Sequence, residues 1–279
     1  MSGDLKLDVQ RHGSGPLVVL VHGSVVGASV TWRKQEPLAE HWTLCTPNRP
    51  GFGASPPLER GDFEAEAPLI AELLGDGAHL VGHSYGAVIA LFTAALRPEA
   101  VWSLTVSEPG SLGVAAGNPA VDAVIADGTE LFRRGPDMDP RDLLLFFRSG
   151  VGSAHHTPDE LSGDLLAGAK LLMRERPPWE VDPPLDALGR APFPKLVISG
   201  GHSEVFEAVC NAVADGIGGE RAVIPGRGHS IPATGEPYNE CLHAFLSAAE
   251  TLRRVGDRSG GSVPLADAAR AVRKDRDAS

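Results

Sequence analysis

Residues 78–96 read Ala78-His79-Leu80-Val81-Gly82-His83-Ser84-Tyr85-Gly86-Ala87-Val88-Ile89-Ala90-Leu91-Phe92-Thr93-Ala94-Ala95-Leu96. A short apolar run enters Gly82-His83-Ser84-Tyr85-Gly86, and an Ala- and Leu-rich segment follows until Arg97-Pro98 stops it. Gly-x-Ser-x-Gly alone is a weak signal, because both residue types are common. Between a strand and a helix it acquires a mechanical meaning. The serine sits on a sharp, strained turn, and glycines two before and two after let the neighbouring backbone pass without Cβ clashes. Such a turn lifts Oγ above the sheet edge and leaves the next backbone N–H facing a reacting carbonyl.

The same rhythm extends in both directions. Leu17-Val18-Val19-Leu20-Val21 opens into His22-Gly23-Ser24, and Trp42-Thr43-Leu44-Cys45 runs toward Pro50-Gly51-Phe52-Gly53. Ser103-Leu104-Thr105-Val106 leads to Ser107-Glu108-Pro109, Lys195-Leu196-Val197-Ile198 to Ser199-Gly200-Gly201, and Arg221-Ala222-Val223-Ile224 to Pro225-Gly226. Continuous apolar runs without alternation suit strands buried on both faces of a parallel sheet. Helical patterns lie between them, at residues 87–96 and again at 238–252, where Leu242, Phe245, Leu246 and Ala249 recur at helical spacing. The expected class is α/β, a mostly parallel central sheet flanked by helices.

Residues 110–191 break this rhythm. Asn118-Pro119 places a cap before a proline at the first helical position, and Thr157-Pro158-Asp159-Glu160 has capping-box spacing ahead of Leu165, Leu166, Ala169 and Leu172. The expected organisation is therefore a core of residues 1–109 and 192–252, a helical lid over 110–191, and a disordered charged tail over 253–279. The tail holds seven Arg or Lys and four Asp. Its removal after about Arg258 is expected to leave activity and melting unchanged.

Composition excludes several classes. With 42% hydrophobic and 22% charged residues the chain reads as a globule. A net charge of -11 with no basic, aromatic-interleaved patch argues against nucleic acid. No apolar run approaches the ~20 residues of a membrane span. The first residues lack the basic and apolar regions of a cleaved signal, which predicts a cytoplasmic protein. Cys45, Cys210 and Cys241 are the only cysteines and show no CxxC spacing, predicting free thiols and no zinc site. Neither G-x-G-x-x-G nor a Walker motif is present, so no cofactor is expected.

The order His22-Gly23, Pro50-Gly51-Phe52-Gly53, Gly82-His83-Ser84-Tyr85-Gly86 and Gly228-His229 resembles the α/β-hydrolase fold superfamily over roughly residues 5–250. Serine at position 84 implies acyl transfer, where aspartate would suggest dehalogenase or epoxide hydrolase chemistry. A serine hydroxyl needs a base. Of ten histidines, His229 stands where the family keeps its catalytic one, after the last strand and before the C-terminal helix. His22 and His83 are expected to orient backbone. His155 and His156 form an adjacent pair in the lid, expected at its surface or at the pocket rim, and His12, His41, His79, His202 and His243 have no motif support.

The acid is expected to be Glu108, with Glu204 as second choice. The family commonly places it three residues after a glycine that follows the strand ending at Ile198, where this chain has Ser203, with Glu204 one residue late. Some relatives take it from the end of the preceding strand, which points to Glu108. Either glutamate also reads as an ordinary solvated carboxylate. The resemblance assigns oxyanion N–H donors to Tyr85 and Ser24, with Val25 as second choice. Trp32, Phe52 and Tyr85 are expected to line the pocket, with Phe146, Phe147, Leu171, Met173 and Trp179 as lid candidates.

The function implied is hydrolysis of a small-molecule carboxylic ester or lactone by a monomer or homodimer. Carbon–carbon bond hydrolysis, acyl transfer, perhydrolysis and turnover-free ligand binding by a receptor remain alternatives on the same scaffold.

Overall fold

The computed structural model describes residues 5–152 and 160–259. Seven strands, β1 (Val9–His12), β2 (Leu17–Val21), β3 (Thr43–Pro47), β4 (Ala78–His83), β5 (Val101–Ser107), β6 (Lys195–Ser199) and β7 (Glu220–Val223), form one sheet in the order β1-β3-β2-β4-β5-β6-β7. Only β1 runs antiparallel, against β3; every other pairing is parallel. The order reverses at β2, so crossover helices fall on both faces and the middle strands lose all contact with water. Val18–Val21 and every residue of β4 are accordingly buried.

The helices are α1 (Ala28–Thr31), α2 (Phe63–Leu73), α3 (Tyr85–Leu96), α4 (Pro119–Arg134), α5 (Pro140–Gly150), α6 (Gly163–Leu172), α7 (Leu185–Arg190), α8 (Glu204–Ile217) and α9 (Glu236–Ser259). α2, α3, α7 and α8 cover one face, where Ile70, Ile89, Leu188 and Val209 meet Val19, Leu80 and Val197. α9 covers the other through Tyr238, Leu242 and Leu246 against Val18, Leu20 and Ile198. A third core belongs to α4–α6: Leu131, Leu143, Leu144, Ala169 and Leu172 close around Val25, which comes from the loop after β2.

The sequence-derived boundaries shift in places. Trp42 precedes β3 and packs on the α9 side of the sheet. Asn118 caps α4 by accepting from the Ala120 and Val121 amides. α6 opens at Gly163, with Ser162 accepting from Leu165 N; the residues Thr157, Pro158 and Asp159, like His155 and His156, lie outside the described ones. α9 continues to Ser259, past the expected end at 252. Arg253 and Arg254 each pair with Glu250 one turn back, and the Arg253 guanidinium lies 4.5 Å over the Trp102 ring. Charge pairs at i+3 and i+4 prolong the helix past its buried apolar positions, where Val255 is exposed. Residues 260–279 of the expected tail lie outside the described chain.

Among the described residues no helix is long and apolar enough to cross a membrane. The three cysteines are free thiols, Cys45 and Cys210 buried and Cys241 half-buried.

Candidate active site

Ser84 joins β4 directly to α3 and holds φ 56° and ψ -122°, a region that L residues avoid. The glycines around it are sterically required. A Cβ on Gly82 would lie 2.5 Å from Ala87 Cα, and one on Gly86 would lie 2.3 Å from the His22 carbonyl oxygen. The non-glycine residues with positive φ among those described are Val25, Ser84 and Glu108. All three stand at carboxyl ends of adjacent strands, so backbone strain is concentrated where the fold presents its polar groups.

The structure brings Ser84, His229 and Glu108 together. His229, in the loop between β7 and the helical turn Ile231–Thr234, has Nε2 2.8 Å from Ser84 Oγ, and its Nδ1 is 2.6 Å from Glu108 Oε2. Glu108 follows the last residue of β5 and is fully buried. Its other oxygen accepts from the Gly200 amide at 2.7 Å and faces His202 Nδ1 at 3.3 Å. Phe206 stacks on the imidazole at 4.4 Å, and His83 Nε2 donates to the His229 carbonyl at 2.8 Å. Glu204 lies exposed in the first turn of α8, and Ser203 is the cap of that helix, accepting from Phe206 N. The loop after β6 thus turns into a helix one residue too early to carry a carboxylate inward.

Burial lowers the His229 pKa well below the ordinary imidazole range and raises that of Glu108. The pair therefore rests as a neutral imidazole at neutral pH. With Nδ1–H donated to Glu108, the Nε2 lone pair faces the serine hydroxyl, the arrangement a proton relay needs.

The backbone of Gly23 passes so close that a Cβ there would lie 2.9 Å from Ser84 Cβ. Among the described residues, neither the Ser24 nor the Tyr85 amide donates to a protein acceptor. His22 organises this loop: Nδ1–H donates to Gly23 O at 2.8 Å, while Nε2 accepts from the Arg49 amide at 2.9 Å. Burial lowers its pKa to about 3, so it bridges the two backbone groups as a neutral ring. The Val25 side chain packs into the α4–α6 core.

A cavity of about 430 Å3 opens from Ser84 and His229 between the sheet and the inserted helices. Leu112, Val124, Leu131, Phe132, Phe147 and Trp179 give it apolar walls. A smaller one of about 180 Å3 shares Ser84, His229 and Phe147 and reaches Val26, Val30 and Pro232. The expected pocket residues divide. Phe147, Trp179 and Tyr85 line the larger cavity, as does Phe146. Trp32 and Phe52 do not. Trp32, the C-cap of α1, is buried in the core beneath α9 with Leu20 and Leu38. Phe52 sets its ring edge against His22 at 4.8 Å. Leu171 lies over Gly51, and Met173 packs in the α4–α6 core beside Gly135.

Three charged residues went unrecognised in the sequence. Arg49, Glu66 and Glu175 are all buried and form one cluster beside Gly23 and Ser24. The available signal was a glutamate on the apolar side of 63–73 and an arginine directly before Pro50-Gly51. His202, which lacked motif support, stands on the second oxygen of Glu108.

A serine on this turn, at the carboxyl edge of a mostly parallel seven-stranded sheet, defines the fold class of the α/β hydrolases. The chain belongs to the alpha/beta hydrolase family, whose model matches residues 18–241. It is 39% identical over 102 residues to a pimeloyl-acyl-carrier-protein methyl ester esterase of Chromobacterium violaceum, covering 37% of this chain and 40% of the esterase. To lipase LipV of Mycobacterium tuberculosis it is 34% identical over 131 residues, covering 44% of this chain and 49% of the lipase. These matches span less than half the length of either relative. In fold it is similar to a hydrolase from Oleispira antarctica, with TM-score 0.69 at 17% identity over 87% of this chain and 95% of that one.

Proposed function

We propose that the protein hydrolyses carboxylic esters with an apolar acyl group, through an acyl-enzyme on Ser84. The observation that carries this reading is the continuous relay from Ser84 Oγ to His229 and Glu108, opening onto an apolar cavity of about 430 Å3. His229 Nε2 takes the serine proton as Oγ attacks the acyl carbon. Glu108 stabilises the imidazolium that forms and holds its tautomer. The developing oxyanion is met by the Tyr85 and Ser24 amides. The imidazolium then protonates the leaving alcohol, and water attacks the acyl-enzyme with His229 again as base. None of these steps calls on a metal or cofactor, and free thiols suit a cytoplasmic setting.

The test is turnover of a p-nitrophenyl ester series of increasing acyl length, run beside simple lactones, which present the same carbonyl within a ring. Activity should rise with acyl length until the cavity is filled. Activity confined to acetyl esters, or absent from the whole panel, would contradict the reading.

The segment between β5 and β6 is proposed to act as a lid that sets acyl preference, since Phe147 of α5 and Trp179, in the turn between α6 and α7, reach the cavity from it. Phe147→Ala or Trp179→Ala should change kcat/KM for long relative to short acyl groups by about tenfold, the scale of one or two methylenes in an apolar pocket. Equal losses across the panel would instead mean damage to the scaffold.

The pH profile follows from the burial of His229. The neutral imidazole is the active form, so activity falls as acid protonates it. Because burial lowers its pKa, the acidic limb of kcat/KM should lie below the ordinary imidazole value of about 6.5. A limb at or above that value would assign the base to a more solvated group.

A further inference from the structure

We propose that Arg49 and Glu175 are positioning residues for the oxyanion hole, through which the inserted helices hold the loop that supplies the Ser24 N–H. The inference rests on the hydrolase reading above and extends it to residues that touch no substrate atom.

A peptide unit is planar and trans, so its C=O and N–H point in opposite directions. Fixing the Gly23 carbonyl therefore fixes the direction of the Ser24 N–H. Two donors grip that carbonyl: His22 Nδ1–H at 2.8 Å and Arg49 Nη1–H at 3.0 Å. The same guanidinium lies 4.2 Å over the ring of Tyr85, whose amide is the other oxyanion donor. One buried cation thus touches the peptide unit that carries one donor and the side chain of the residue that carries the other. Donation to a carbonyl also polarises the amide of its own peptide unit, strengthening it as a donor.

The cation is held from two sides. Glu66 of α2 pairs with it through two bonds, at 2.8 Å from Nε and 3.0 Å from Nη2. Glu175, which follows α6, approaches Nη1 at 2.9 Å, and its other oxygen accepts from Ser24 Oγ at 2.5 Å. Burial opposes the charge on Arg49, but Glu66 and Glu175 more than offset this and keep it protonated. Glu175 is itself tied to the core: the Gly61 amide donates to Arg174 O at 3.0 Å, and the Arg176 amide to Gly61 O at 2.8 Å.

Packing gives a second, independent link. A Cβ on Gly168 of α6 would lie 1.8 Å from the Val25 carbonyl oxygen, so the insert rests directly on this loop. The Val25 side chain also completes the core of α4–α6. A loop that carries φ 73° at Val25 needs such support, because a strained conformation persists only where its surroundings over-determine it.

The test compares Glu175→Gln with wild type in the full chain. Three quantities are read: kcat and KM on one p-nitrophenyl ester, inhibition by a trifluoromethyl ketone of the same acyl chain, and inhibition by the matching amide. On the ketone, Ser84 Oγ adds to the carbonyl carbon, the carbonyl electron pair moves onto oxygen, and the serine proton passes to His229. The resulting oxyanion occupies the hole, whereas the amide binds without one. Glu66 still neutralises Arg49 in the variant, so the fold should persist. The expected result is a fall in kcat of about 10- to 100-fold, less than full loss of one donor. KM and amide affinity should stay within about twofold, and ketone affinity should weaken in step with kcat. Should Glu175→Gln not fold, Ser24→Ala removes only the hydroxyl contact, keeps the amide, and should show the same pattern at smaller size. Unchanged kcat, or equal weakening toward ketone and amide, would overturn the inference. If wild type neither turns over esters nor binds the ketone tightly, the hydrolase reading itself fails.

Discussion

Ser84→Ala should lower ester turnover by about 10^6-fold, the scale seen when a serine nucleophile is deleted. The hydroxyl is the atom that the fold spends its local strain to present: Ser84 sits at φ 56°, between glycines whose replacement would collide with Ala87 and with the His22 carbonyl. Its removal leaves those constraints intact, since alanine carries the same Cβ. Stability should therefore change by no more than about 1 kcal/mol, as for a small side-chain loss outside the core. Turnover measured beside thermal melting checks both halves. A variant retaining more than a tenth of the wild-type rate would remove Ser84 from the mechanism.

Glu108→Gln should cost about 10^3- to 10^4-fold in kcat, and the environment of Glu108 explains why an isosteric amide fails. The Gly200 amide donates to Oε1 at 2.7 Å. A glutamine would satisfy that donor with its only carbonyl oxygen and would turn its NH2 toward His229 Nδ1. The imidazole would then have to carry its proton on Nε2, with no lone pair left for Ser84, and no carboxylate would stabilise the imidazolium. Glu204→Gln should be nearly silent, because Glu204 is exposed on α8. Steady-state kinetics of both variants decide the matter. If both are silent, a Ser–His dyad is the better description.

The parts of the fold that were legible in the sequence are those fixed by local pattern. Strands β2, β4, β5 and β6 are buried almost throughout. β2 therefore reads as an unbroken apolar run, and the others as apolar-rich segments whose polar residues, such as His79, Ser103 and Thr105, are buried too. The turn at Ser84 carries its glycines at fixed spacing. β1 was not legible: Val9-Gln10-Arg11-His12 lies at the sheet edge, largely in water, and needs no apolar signature. Helix α8 carries Val205, Val209, Val213 and Ile217 at helical spacing, a local periodicity that is legible in the sequence.

The site followed the same division. Ser84 and His229 could be located from turns that flank strands. Glu108 could be preferred over Glu204 only from its place at the end of a strand, because what fixes its carboxylate is the positive φ of Glu108 and the Gly200 amide 92 residues away. Arg49, Glu66 and Glu175 lie on three separate segments, and no spacing along the chain announces that a buried guanidinium joins them. Trp32 shows the converse. It lies just beyond the loop after β2, yet its side chain serves the core beneath α9.

Labelling with a fluorophosphonate, read by intact mass and peptide mapping, tests the central claim most directly. The reagent is attacked by an activated serine, which displaces fluoride and leaves a phosphonylated oxygen. Wild type should take up one equivalent, located on the peptide that contains Ser84, with esterase activity lost in proportion, and Ser84→Ala should take up none. An adduct on another residue, or labelling of Ser84→Ala at the wild-type rate, would contradict the account.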